Sequence, residues 1–160
     1  EIRLSLVGSE MCIRDSFPSS QIRVRVPDEL LLVPMDAMLI EQVLINLMEN
    51  AIRHSGTAKP IYLTVKHLWH HVYFSVLDQG IGIEEERLPH IFDGTTSSKS
   101  SDSSRGLGIG LPICKTIIPA HGGEIYAKNN ENGGANFTFV LPMKGEVEHV
   151  QQTEDTGCRR

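Results

Sequence analysis

Four polar residues in the stretch DAMLIEQVLINLMENAIRHS (36–55), namely Asn46, Asn50, Arg53 and His54, recur at steps that return to one side of a helix. Asparagine is a mediocre helix former, so two of them a turn apart suggest work other than helix stability. Asn50 and His54 fall where this polar arc meets an apolar one, a place suited to a ligand with a flat apolar part and a charged part. Further on, Asp78-Gln79-Gly80-Ile81-Gly82-Ile83 closes an alternating apolar stretch. A carboxylate there can accept a hydrogen bond from an exocyclic amine on a planar base, with the glycines leaving room for the ring. Such a contact is selective, because a buried acceptor left unpaired costs roughly 1–3 kcal/mol. Gly106-Leu107-Gly108-Ile109-Gly110-Leu111 then opens a helical pattern. Glycines at a helix N-terminus let the backbone approach phosphate and offer it free N–H groups. Each feature also has a plain reading: two solvent-facing amides, a tight turn at Asp78, a flexible hinge before a helix.

Other chemistries are narrowed by what is missing. The glycine run is not the dinucleotide GxGxxG, because Leu111 stands where the third glycine is required, and no GxxxxGK[ST] occurs anywhere in the chain. His67, His70 and His71 invite a metal reading, but they lie at a hairpin tip with no carboxylate or cysteine nearby in sequence, which favours a solvated turn. The three cysteines, Cys12, Cys114 and Cys158, form no CxxC pair and fit a reduced cytosolic compartment better than a disulfide framework. The net charge of −5 argues against a nucleic-acid partner, and no apolar run approaches the roughly 20 residues that span a bilayer.

The elements that must position these residues follow from pattern. At 160 residues, 40% hydrophobic and 22% charged, the chain suits one domain with a proper core. Residues 1–16, EIRLSLVGSEMCIRDS, carry no clean period; they look like a translated sequencing-adapter read and are expected to be a non-native leader. QIRVRV (21–26) alternates as a half-buried strand, and LLLV (30–33) reads as a second short one. Pro34 breaks it, and Asp36 can cap a helix whose core stripe is Ile40, Val43, Leu44, Leu47, Met48 and Ala51. IYLTVKHL and HVYFSVLD form a hairpin around Trp69-His70. Glu84-Glu85-Glu86 starts a helical turn, and 93–105 is a serine-rich stretch with the composition of a mobile loop. A helix through about Ala120 ends at His121-Gly122-Gly123, and EIYAKN with NFTFVL forms a closing hairpin. Residues 144–160 turn polar and acidic, as a disordered tail does. The domain is thus expected over 17–143.

The order of these features, an asparagine-bearing helix, DxGxG after a strand, a serine-rich loop closing on GxGxG, then HGG and a hairpin, closely resembles the ATP-binding catalytic domain of sensor histidine kinases, in the Bergerat/GHKL superfamily. The resemblance covers about residues 21–142. NLMENAIRH looks like the N box, 78–82 like the first glycine box, Ile91-Phe92 like the F box and 106–111 like the second glycine box. EQVLINLMENA and HGGEIYAKNNENGGANFTFVLP are most similar to KdpD-type potassium-responsive kinases.

The resemblance implies an α/β (α+β) two-layer sandwich: a mixed, mostly antiparallel sheet against about three helices, with a mobile ATP lid at 93–105. It implies that Asn50 is the Mg²⁺ ligand, that Asn46 assists at the phosphate and metal shell, and that Arg53 faces the phosphates. His54 would sit against adenine or ribose, Asp78 would take the adenine amine, and Gly80 and Gly82 would shape the pocket. The box from Gly106 through Leu107, Gly108 and Ile109 to Gly110 would hold the phosphates. Ile83, Ile91, Phe92 and Leu111 are candidates for its apolar wall. Three positions depart from the pattern: no second aromatic follows Phe92, Pro119 should shorten or kink the last helix, and Ala135 replaces a hydroxyl beside the adenine.

Within that superfamily, hydrolases place a glutamate one turn before the magnesium asparagine, as general base. Here the position is Asn46, which cannot take up a proton, and losing such a group forfeits about 10²–10⁴ in rate. The resemblance therefore favours phosphoryl transfer from Mg-ATP to a histidine. None of the seven histidines has the context of a phosphoacceptor. The partner is accordingly expected in an upstream dimerisation domain, with a response regulator reached indirectly, no nucleic acid, no membrane contact by these residues, and a cytoplasmic location. A serine or protein kinase or ATPase on the same fold, and a degenerate nucleotide sensor, are the alternatives.

Overall fold

The computed structural model describes residues 22–27, 31, 33–55, 59–94 and 109–143. The expected leader, the tail, the loop beyond Gly94 and the box residues Gly106, Leu107 and Gly108 lie outside them.

In chain order the elements are β1 (Ile22–Arg25), α1 (Ala37–Ser55), β2 (Ile61–Leu68), β3 (His71–Leu77), a 3₁₀ turn (Leu88–His90), α2 (Gly110–Ala120), β4 (Glu124–Asn129) and β5 (Ala135–Pro142). The strands form one sheet in the order β1-β2-β3-β5-β4. Only β1 and β2 run parallel; the other neighbours are antiparallel, with Phe74 opposite Phe139 and Asn129 opposite Ala135. The two helices pack on the sheet, giving the expected two-layer sandwich, although among the described residues the third helix is reduced to the single 3₁₀ turn.

Strand alternation decides which side is core. Leu63, Val65, Val72, Phe74, Val76, Phe137, Phe139 and Leu141 are buried together with the α1 stripe Ile40, Val43, Leu44, Leu47, Met48 and Ala51. Phe74 and Phe139 stack with centroids 4.6 Å apart, filling the middle of the layer. Asp36 caps α1 as its sequence promised: Oδ1 accepts from Met38 N at 3.0 Å and Leu39 N at 3.1 Å.

Two local expectations are corrected. In the LLLV stretch, Leu31 and Val33 are buried but lie in no strand. They belong to the connection from β1 to α1 and drive their side chains into the core, so short apolar runs can be buried without a ladder. Nor does Pro119 end α2 early. The helix continues one residue further, to Ala120, losing the one bond that an N–H at position 119 would make to the Lys115 carbonyl, and Gly122 (φ 72) then lets Gly123 N bond back to Ile118 O at 3.1 Å. At the β2–β3 tip Trp69 (φ 57) and His70 form the turn, with His67 in β2 and His71 opening β3, and among the described residues no group of three or more His, Cys, Asp or Glu could hold a metal.

Candidate nucleotide site

Helix α1 touches both glycine boxes. At its middle, Asn46 Nδ2 donates to Gly110 O at 3.2 Å and reaches Cys114 Sγ at 3.7 Å, while Asn46 Oδ1 accepts from Gln42 Nε2 at 3.1 Å. A Cβ on Gly110 would lie 3.3 Å from Asn46 Cγ, so the helices meet closely there. At the other end, a Cβ on Gly80 would lie 2.5 Å from His54 O and 2.9 Å from Ser55 Cα. Glycine is required at position 80 because the loop rests on the end of α1. From Asn46 to His54 the helix rises about 12 Å, with Asn50 midway. An elongated ligand with a base at one end and charge at the other would lie along that span. Asn50 is half-buried, and among the described residues its amide makes no hydrogen bond.

Asp78 is built into the sheet end. It is 3% exposed, and Oδ1 accepts from Gly80 N at 2.8 Å and Ala135 N at 3.2 Å. Its own N–H donates to Ala135 O at 3.0 Å, and its carbonyl accepts from Asn130 Nδ2 at 3.4 Å. The other carboxylate oxygen has no partner among the described residues, yet it is not sealed, since no fully buried side-chain polar atom among those residues lacks a partner. One oxygen is anchored and one is available to a donor from outside.

The rest of the loop is held by a turn whose role the sequence left unread. Asn129 Oδ1 accepts from Ile83 N at 2.7 Å while Asn129 Nδ2 donates to Ile83 O at 2.7 Å. Gly134 (φ 86) lies so close under Asp78 that a Cβ there would collide with the Asp78 carbonyl oxygen. Asparagines and glycines in a hairpin turn ordinarily serve the turn itself, so nothing in their types announced a second contact.

Not every predicted site residue lines an open surface. Phe92 is buried with its ring edge-on to Phe137, centroids 6.1 Å apart, so it anchors the segment after Ile83 to the core. Ile83, Ile91 and Leu111 are partly buried against the same core, whereas Ile109 is exposed. Where a second aromatic was missing after Phe92, Lys115 Nζ bonds Asp93 Oδ1 at 2.7 Å, and a Cβ on Gly94 would lie 3.0 Å from Pro112 Cγ. The start of the serine-rich loop is thereby tied to α2.

Electrostatics mark the same corner. Partial burial, then the charges of Arg53 and Arg87, hold His54 below its ordinary 6.5, with Asp78 pulling the other way. A neutral ring at pH 7 suits a place beside a base. Burial pushes the Cys114 thiol up to about 11, against the hydrogen bond from Asn46. As for a cation, the Asn50 amide oxygen is a hard donor of the kind Mg²⁺ takes, and with no carboxylate cluster among the described residues a phosphate-bearing ligand and waters would have to supply its other ligands. The residues fit that group.

The comparisons with known proteins agree with this geometry. Residues 35–145 match the family model of histidine kinase-, DNA gyrase B-, and HSP90-like ATPases. The chain belongs to that family, and within it to the sensor histidine kinase ATP-binding domains. It is 47% identical over 142 residues to the sensor protein KdpD of Clostridium acetobutylicum, a match that covers 86% of this chain but only 16% of the relative. The solved catalytic domain of histidine kinase ThkA superposes with a TM-score of 0.74 at 31% identity, covering 88% of this chain and 91% of that one. Full-length ShkA, solved in complex with AMPPNP, gives 0.73 at 26% identity over 89% of this chain and 30% of that one. Among the described residues no helix is long and apolar enough to cross a membrane.

Proposed function

We propose that this chain binds Mg-ATP and donates the γ-phosphoryl group to a histidine of an adjacent dimerisation domain, as in two-component signal transduction. The observation that carries the reading is Asp78, with one oxygen fixed by two backbone N–H groups and the other left for the amine of a purine. His54, neutral beside it, would flank the base or ribose, and Arg53 would face the phosphates. Asn50 would turn its amide oxygen to the cation, which when bound neutralises phosphate charge. Asn46 would stand in the phosphate and metal shell while holding Gly110, the last glycine of the phosphate-binding box. Gly80 and Gly82 would set the pocket's shape, with Ile83, Phe92 and Leu111 behind it. ShkA, a relative by fold and sequence, was solved with an ATP analogue, which favours the same ligand here.

Transfer rather than hydrolysis follows from Asn46, because an amide cannot activate water as a carboxylate does. The 47% identity to KdpD favours the KdpD-type subgroup, and hence the cytoplasmic part of a membrane-anchored sensor that signals to a response regulator. Calorimetric titration with ATP and Mg²⁺ on the wild type and Asp78→Asn tests the binding half; the variant should lose most of the affinity. Incubation with labelled ATP and a separate histidine-bearing helical domain tests the transfer. Binding without any transfer would count against the kinase reading.

A further inference from the structure

The loop from Asp78 to Ile83 is held at both ends by a single rung of the β4–β5 ladder. Asn129 and Ala135 face each other in that rung. Ala135 exchanges hydrogen bonds with Asp78 at one end of the loop, its N–H reaching Oδ1 and its carbonyl taking Asp78 N. Asn129 grips Ile83 at the other end with both atoms of its side-chain amide, each at 2.7 Å. The pairing mimics a strand rung, but a side chain makes it where the backbone has left the sheet. Gly82 at φ 83 is what turns Ile83 towards Asn129, and a Cβ on Gly82 would lie 2.8 Å from Asn129 Oδ1. The loop therefore has fixed ends and a fixed length, and the free oxygen of Asp78 inherits its direction from both.

We infer that Asn129 is a positioning residue for base selection: it never meets the nucleotide, and it sets how sharply Asp78 distinguishes an amine from a carbonyl on a purine. This rests on the reading of Asp78 as the acceptor for adenine. Without the Asn129 amide, the Ile83 end of the loop is held by side-chain packing alone, while the Asp78 end keeps its hydrogen bonds. The acceptor then samples several directions, and the contact with the amine weakens more than contacts with ribose or phosphates do.

The test compares ATP with inosine triphosphate, which keeps the ring, ribose and phosphates and carries a carbonyl oxygen in place of the amine. Both affinities are measured with Mg²⁺ on the full chain, and the quantity read is their ratio, which general damage to the fold leaves unmoved. The wild type should prefer ATP, and Asn129→Ala should cut that preference by about three- to tenfold, the worth of roughly one hydrogen bond. Asn129→Asp keeps the acceptor for Ile83 N–H but sets a second oxygen against Ile83 O, so it should lose at least as much of the preference as Asn129→Ala. A wild-type ratio retained in Asn129→Ala overturns the inference, including the case in which both nucleotides weaken equally. A wild type that does not discriminate overturns the Asp78 reading itself, and the inference with it.

Discussion

Asn46 donates its side-chain amide to the carbonyl oxygen of Gly110, 3.2 Å away, and so joins the middle of α1 to the first residue of α2. The same amide nitrogen reaches Cys114 Sγ one turn further along α2. A residue marked out by its chemistry is thus also a strut between the two helices. The lack of a carboxylate at position 46 has a structural side, because a carboxylate there would face the Gly110 carbonyl with no proton between them.

Asn46→Asp is accordingly expected to destabilise the chain by about 1–3 kcal/mol, the cost of setting two acceptors against each other in a half-buried contact. Asn46→Ala, which removes the donor without adding a charge, should cost about 1 kcal/mol. Urea unfolding of the three proteins measures the order. If the aspartate variant is as stable as the wild type, Asn46 is not a strut.

Much of this architecture was legible because pattern and environment agree. The α1 stripe, the Asp36 cap, both hairpins and the stop at Gly122 all rest on period, capping and turn chemistry, and those are local. Leu31 and Val33 misled because burial alone, without alternation or a partner strand, reads like a buried strand. At the site, Asp78 and Gly80 were visible as types in a pattern. Their partners were not, since Asn129 and Gly134 reach the loop from about fifty residues away and look like ordinary turn residues. Asn129, Asn130 and Gly134 act only through tertiary contact, which spacing along one segment cannot show.

The two glycines of the β4–β5 turn should respond differently to the same substitution. Both have positive φ, 89 for Gly133 and 86 for Gly134, so alanine costs about 1–2 kcal/mol at either from backbone strain. At Gly133 the new methyl would lie 3.6 Å from Gly80 O, an ordinary contact. At Gly134 it would collide with the Asp78 carbonyl and push the acidic loop off the sheet end. Gly134→Ala should therefore be the less stable variant and should also weaken ATP binding, whereas Gly133→Ala should bind ATP as the wild type does. Equal effects from the two would mean that the turn does not support the loop.

Cys114 should be close to inert towards thiol reagents while the chain is folded. It is fully buried, and its pKa of about 11 leaves on the order of one thiolate in a thousand at pH 8. With Cys12 and Cys158 changed to serine, the alkylation rate of Cys114 should rise with urea in step with global unfolding. Fast labelling in the native protein would show that α1 and α2 separate without the rest of the fold opening.

His54 offers a pH-dependent readout of the base end of the site. Its pKa is lowered, first by partial burial, next by Arg53 and Arg87, with Asp78 opposing. The folded state thus prefers the neutral ring, and between the folded pKa and 6.5 the unfolded chain binds more protons at this position. His54 therefore contributes a stability that is present above 6.5 and is lost as the pH falls towards the folded pKa. The difference in urea midpoint between wild type and His54→Gln isolates that contribution from the other histidines, and it should shrink on acidification. NMR titration of the ring gives the causes separately: Arg53→Gln should raise the His54 pKa, and Asp78→Asn should lower it further. If neither substitution moves the titration, His54 does not share an electrostatic environment with the proposed phosphate-facing arginine and the proposed adenine-binding carboxylate.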